Sequence, residues 1–199
     1  MQMKKSRFKE LKEQLYLVKQ TLPDKYANIA NIIDLHPEFL TAPSSCSQHH
    51  EYKHGLLEHS INVAEVALNI SAHYGQYDRN LIVCGALLHD LGKTLVYSIN
   101  KDKAVKNEKD KLFGHITLGV MQIVDALGLN TIIDDEDYSK IVHIILASHG
   151  KREWGSPVEP SIPEAFIVHL ADMADSRLVK YDAINLGNNS KRPFNGRLS

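Results

Sequence analysis

The sequence predicts an all-α fold, and three observations carry that expectation. Helical periodicity of apolar residues runs through nearly the whole chain. One segment, "NLIVCGALLHDLG", is apolar on all sides, as the central helix of a bundle must be. No internal repeat or composition break divides the 199 residues, a length that suits one domain with a sizeable core.

Residues 6–20 are amphipathic, with Phe8, Leu11, Leu15 and Val18 on one stripe. Residues 24–35 continue after Pro23 with Tyr26, Ile29, Ile32 and Ile33, so a helix pair is expected. "PEFLTAPSSCSQ", 37–48, reads as loop from its Pro and Ser content. From Leu56 to about His73, residues Leu57, Ile61, Ala64 and Leu68 form one face. The central helix follows over 80–92, with Gly92 expected just past its end. Residues 97–111, "YSINKDKAVKNEKDK", are polar and predict an exposed loop or short hairpin. Helices resume at about 114–127, 137–148 and 162–180, the last entered through Pro163. The end of the chain, "NLGNNSKRPFNGRLS", lacks periodicity, which predicts one domain over 1–184 and a flexible tail over 185–199.

Composition excludes several classes. The formal net charge is −1, so no global basic field advertises nucleic acid, and 43% hydrophobic content argues against disorder. The two cysteines, Cys46 and Cys84, are too few for a disulfide framework, and a cytoplasmic setting is expected. No apolar run approaches the length of a membrane span, so no membrane partner is expected, and protein partners are unassigned.

Histidine is in excess: eleven are scattered through the chain, and several polar residues fall on apolar helices. His59 sits among Leu56, Leu57, Ile61 and Val63; His89 and Asp90 end the most hydrophobic helix. His115 opens a helix after Gly114, His149 precedes Gly150, and Asp172 lies in "FIVHLADMADSRL". Asp90 is the sharpest anomaly, because the partial negative charge of a helix C-terminus disfavours a carboxylate. One or two divalent cations would remove these penalties together, and imidazole with carboxylate suits manganese, iron, zinc, nickel, cobalt or magnesium. Neighbours on a helix point about 100° apart, so His89 and Asp90 can approach a metal cluster from different sides. Asp175, three residues after Asp172, competes with it for the same role, and His169 is placed to orient that carboxylate or simply to pack. Lys93 follows across the Gly92 turn, aiming an ammonium at the same place. His49, His50, Tyr52 and Lys53 precede the His59 helix in a loop that supplies donors for phosphate oxygens. Lys151 and Arg152 add positive charge, and Trp154 is a platform for a nucleobase.

The ordered set His59, His89-Asp90, Asp172 resembles the H…HD…D signature of the HD superfamily of metal-dependent phosphohydrolases. More specifically, "FLTAPSSCSQHHEYKHGLLEHS", "LLHDLGK", "LFGHITLG", "SHGKREWGSPV" and "HLADMAD" are similar to the HD domain of YhaM-type 3′-to-5′ exoribonucleases, over roughly residues 7–180. The resemblance implies an HD-type helical bundle that includes the two N-terminal helices. It implies His59, His89, Asp90 and Asp172 as metal ligands, and His115 and His149 as the added ligands of a second ion. Two departures stand out. The family's OB-type nucleic-acid-binding domain has no counterpart in the first 45 residues, and Ser148-His149 stands where the family often has two histidines.

The implied chemistry is water activation by metal and in-line displacement at phosphorus, with Asp90 and Lys93 as the catalytic residues. His50, Tyr52, Lys53, Lys93, Arg152 and Trp154 would bind a nucleotide or short single-stranded nucleic acid. The alternatives are a nucleotide phosphomonoesterase and a regulatory module that binds metal or nucleotide without catalysis.

Overall fold

The computed structural model describes residues 3–46 and 50–187. His49 and the last twelve residues of the expected tail therefore lie outside the described residues. Helix α1 (Lys5–Gln20) turns at Pro23 into α2 (Asp24–Ala30), which tightens into a 3-10 turn over Asn31–Leu35. A second 3-10 turn, Pro37–Leu40, occupies the start of the stretch expected to be loop. Helix α3 (Gly55–Tyr74) follows, then α4 (Arg79–Leu88).

Asp78 starts α4 by accepting hydrogen bonds from the Asn80 and Leu81 amides, at 2.8 and 3.2 Å, which satisfies donors that a helix N-terminus leaves orphaned. Every residue of α4 from Leu81 to Leu88 is buried, and α4 packs against α2 and α3. An all-apolar sequence and a position at the centre of the bundle are the same fact seen twice.

A 3-10 turn over Leu91–Leu95 leads into a hairpin, β1 (Tyr97–Asn100) and β2 (Lys103–Lys106), antiparallel with Tyr97 opposite Lys106. Lys101 and Asp102 between them both take positive φ, 47° and 64°, as a two-residue turn matched to strand twist requires. The remaining elements are α5 (Lys109–Phe113), α6 (His115–Leu127), α7 (Leu129–Asp134), α8 (Glu136–Leu146), a 3-10 turn at Arg152–Trp154, and α9 (Pro163–Gly187). Asp135 caps α8 through the Asp137 and Tyr138 amides. Helix α4 also packs on α8 and α9, and α3 lies along α9. The fold is all-α, with the hairpin its one departure among the described residues. No helix among them is long and apolar enough to cross a membrane.

Several expectations need correction. The short helices α5 and α7 escape periodicity because neither reaches two full turns, and α5 buries no residue. Helix α9 continues through Gly187, longer than the expected span of about 162–180. The central helix ends at Leu88 rather than 92, and Gly92 is not a helix-ending residue with positive φ. Its lack of a side chain serves close approach instead: a Cβ there would lie 1.9 Å from the His115 carbonyl oxygen and 2.5 Å from the Gly119 nitrogen. The turn after His89-Asp90 is thereby pressed directly onto the start of α6. Gly92→Ala is expected to lower stability by about 2–3 kcal/mol through overpacking against backbone. Urea denaturation measures it, and an unchanged midpoint would contradict the packing described.

Candidate metal centre

Three helices deliver the polar residues to one buried place. His59 stands in the second turn of α3, His89 and Asp90 form the turn that ends α4, and Asp172 and Asp175 lie one turn apart on α9. His59 Nε2 lies 3.2 Å from His89 Nε2, 3.3 Å from Asp90 Oδ2 and 3.2 Å from Asp172 Oδ1. His89 Nε2 lies 3.3 Å from Asp90 Oδ2 and 3.8 Å from Asp172 Oδ1. Ligand atoms about 2.1 Å from a shared ion stand about 3.0–3.4 Å apart in octahedral or tetrahedral arrangement. The observed separations are close to those edges, and His59, His89 and Asp172 form a group able to hold a metal ion.

The donor set fits a cation for a second reason. His89 Nδ1 lies 2.8 Å from the Ala86 carbonyl, and His59 Nδ1 lies 2.6 Å from Asp175 Oδ2. Each Nδ1 therefore carries a hydrogen, so in the neutral ring each Nε2 presents a lone pair toward the other and toward two carboxylates. Such a convergence of acceptors in a buried place is repulsive unless positive charge, a proton on His59 or a metal ion, enters it. Asp90 is 1% exposed, and its Oδ2 lacks a well-aligned hydrogen-bond donor.

The electrostatics register the same demand. Burial disfavours a charged His59, but Asp172, Asp175 and Asp90 outweigh it and raise its pKa well above the ordinary value. Burial alone would raise Asp90; His89, Lys93 and His59 hold it well below the usual carboxylate range. Asp172 and Asp175 are likewise lowered against their burial, by His59 and His89 in the first case and by His50 and His59 in the second.

A second group adjoins the first. His115 Nε2 lies 3.5 Å from Asp90 Oδ1, is buried and has no hydrogen-bond partner. Its Nδ1 faces Asp110 at 3.5 Å, and Asp110 also accepts from the His115 amide at 3.0 Å and pairs with Lys106. The His115 and His149 rings are 5.1 Å apart, and His149 donates from Nδ1 to the Trp154 carbonyl at 3.0 Å. Asp90 thus directs one oxygen to each group. Gly150 permits this loop, since its φ is +82° and a Cβ would strike the His169 ring at 2.4 Å.

The remaining candidates divide into two sets. Lys93 Nζ stands 2.6 Å from Asp90 Oδ2 and 3.4 Å from Ser44 Oγ, in the direction expected. His50 and Tyr52 are tied to one another at 2.7 Å, to Asp175 and to Glu58, behind the His59 ring. Their geometry is that of residues holding Asp175 and His59, rather than of donors held open for phosphate. Lys53 is exposed and lines a separate groove of about 560 Å³ with Glu38, Thr41, Tyr97 and Lys101. Arg152 is exposed, and the Trp154 ring, 47% exposed, carries the Lys151 ammonium 4.9 Å above it. His169 bonds the Ser148 carbonyl at 2.9 Å, a hold on the His149 loop in place of the expected hold on Asp172. Between the competing carboxylates, Asp172 faces the two Nε2 atoms and Asp175 faces the outer nitrogen of His59. Asp110, Glu58, Asn62 and Arg7 were not legible as parts of this site, because each reaches it from a surface-like sequence context through tertiary contact alone.

A family model described as HD domain matches residues 56–176. No solved structure matches the chain.

A metal ion must displace the proton that the carboxylates favour on His59. Without metal, protonated His59 stabilises the fold fully below its unfolded pKa of about 6.5, and that contribution is lost as pH rises through the raised folded value. The lowered aspartates contribute above their unfolded pKa of about 3.9 and lose the contribution as pH falls through the folded values. The increase in Tm on adding Mn2+ is therefore expected to grow from about pH 6 to about pH 8. Thermal unfolding with and without metal across that range checks it, and a pH-independent increase would count against binding at these residues.

Proposed function

The chain belongs to the HD-domain family, whose members are generally metal-dependent hydrolases, and on that premise we propose that it hydrolyses phosphodiesters in nucleotides or short single-stranded nucleic acid. The observation that carries the reading is the convergence of two imidazole nitrogens and two carboxylates, 3.2–3.8 Å apart and largely buried, beside the Lys93 ammonium. His59, His89, Asp90 and Asp172 are assigned to one ion, with His115, His149 and the other oxygen of Asp90 assigned to a second. A divalent ion held there supplies activation of water and stabilisation of charge at a phosphoryl group.

The chain's own residues divide the rest of the work. Asp90 keeps its carboxylate ionised at neutral pH, because neighbouring positive and hydrogen-bonding groups lower its pKa. Lys93 is mostly buried, which strengthens its attraction for a phosphate oxygen arriving at the open side. That side is marked by the partial exposure of Asp172 and His115. His89 and His149 donate Nδ1–H to backbone carbonyls and so fix the orientation of their rings, with Nε2 aimed inward. Trp154, with Lys151 over its face, offers stacking and positive charge within the loop that carries His149. Lys53 and Lys101 stand in the groove bordered by Tyr97, four residues beyond Lys93, beside Glu38 and Asp102, so positive charge there is local, on a chain whose formal net charge is −1. The likeness of five ordered motifs to YhaM-type exoribonucleases favours release of nucleotides from a 3′ end.

Metal-free protein reconstituted with Mn2+ and given single-stranded RNA is expected to release nucleoside monophosphates. Release of inorganic phosphate from nucleotides alone would make it a monoesterase, and turnover no greater than that of His89→Ala would leave a non-catalytic module. Asp90→Asn is expected to cut kcat by roughly 10³-fold, about 4 kcal/mol of transition-state stabilisation, with the circular dichroism spectrum retained. For Lys53→Ala we expect KM for RNA to rise roughly 3- to 10-fold at unchanged kcat, as loss of uniform binding predicts.

A further inference from the structure

We propose that Arg7, Glu58, Tyr52, His50 and Asp175 form one hydrogen-bonded chain whose task is to position His59, which makes helix α1 a working part of the metal centre. The inference rests on the metal-binding reading above, and extends it to residues outside the matched span of 56–176.

The links are continuous. Arg7 donates from Nε to Glu58 Oε1 at 2.9 Å, and Tyr52 donates its hydroxyl hydrogen to Glu58 Oε2 at 2.7 Å. His50 Nδ1 meets the Tyr52 oxygen at 2.7 Å, and His50 Nε2 meets Asp175 Oδ2 at 2.9 Å. Asp175 Oδ2 then holds His59 Nδ1 at 2.6 Å, while Asn62 donates to Asp175 Oδ1 at 2.9 Å. His50, His59 and Asp175 are close enough to hold an ion themselves, but their facing atoms are already engaged with one another and with Tyr52 and Asn62.

Backbone conformation gives independent support. His50 and His54 both have positive φ, 48° and 75°, a conformation that residues with a side chain keep only where the surroundings enforce it. The His54 ring stacks on Phe8 at 3.9 Å and bonds the Leu40 carbonyl at 2.5 Å. Consecutive residues of α1, Arg7 and Phe8, therefore grip both Glu58 and the strained turn that presents His50 and Tyr52. The inner nitrogen of His59 can be held at the centre only if its outer nitrogen is fixed, and five residues outside the centre fix it.

Tyr52→Phe removes only the hydroxyl, and Asp175→Asn removes the negative charge and turns one of the two accepting oxygens, which hold His59, His50 and Asn62, into a donor. Titration with Co2+, followed by its visible absorption, is expected to give a Kd raised about 10- to 100-fold for each variant, with altered band positions. Leu15→Ala, a core change in the same helix, supplies the control: it lowers Tm yet leaves the Co2+ spectrum and affinity of the folded protein unchanged. Wild-type affinity in Tyr52→Phe and Asp175→Asn overturns the positioning chain while leaving the metal reading intact. Loss of one bound ion in His50→Ala at unchanged affinity for the rest overturns it too, by making that triad a metal site. Failure of the wild-type protein to bind Co2+ overturns the metal reading and this inference with it.

Discussion

A carboxylate at the closed end of an apolar helix is tolerable only if positive charge meets it there. Asp90 occupies that position, buried and facing two imidazole nitrogens whose lone pairs are fixed inward. Lys93 meets part of the demand from 2.6 Å, and without metal a proton on His59 meets more of it. The rest of the arrangement follows from this demand. Helices α3 and α9 must carry His59 and Asp172 to the end of α4, and the Gly92 turn must lie flush against α6 for His115 to reach the other Asp90 oxygen.

The abundance of histidine then has a common explanation at four positions. His59, His89, His115 and His149 each turn Nδ1 toward an acceptor: Asp175, the Ala86 carbonyl, Asp110 and the Trp154 carbonyl. An imidazole pinned in this way loses the freedom to rotate or change tautomer, and its Nε2 becomes a directed atom able to meet a cation. Other histidines do plain structural work. His143 accepts from the Ser161 amide, His54 bonds the Leu40 carbonyl, and His36 meets Gln122. Counting histidines points to metal; only their partners separate ligands from props.

The molecule also separates what holds the centre from what faces outward. His50 and Tyr52 lie behind His59 in the hydrogen-bonded chain that ends at α1, whereas Trp154, Arg152 and Lys53 remain exposed. Burial strengthens electrostatics at the centre, while the exposed side chains meet solvent. The hairpin adds to the exposed set, since its tight turn places Lys101 in the groove that Lys53 also lines.

The sequence by itself determined the helical class, the centrality of α4 and the identity of the residues that converge. Each of these follows from local pattern: periodicity for the class, uniform apolarity for burial, and polar residues misplaced on apolar helices for the site. Even the contest between Asp172 and Asp175 was stated by their spacing, which puts both on one face of α9. What tertiary structure decided was which of the two faces the centre, why Gly92 is glycine, and that His50 and Tyr52 stand behind a ligand. It also brought in Arg7, Asp110 and Asn62, which no local pattern distinguishes from surface residues. The physical reason is that a hydrogen bond between residues 113 or 125 apart, such as those from Asn62 and His50 to Asp175, depends on helix packing and leaves no trace in the neighbourhood of either partner.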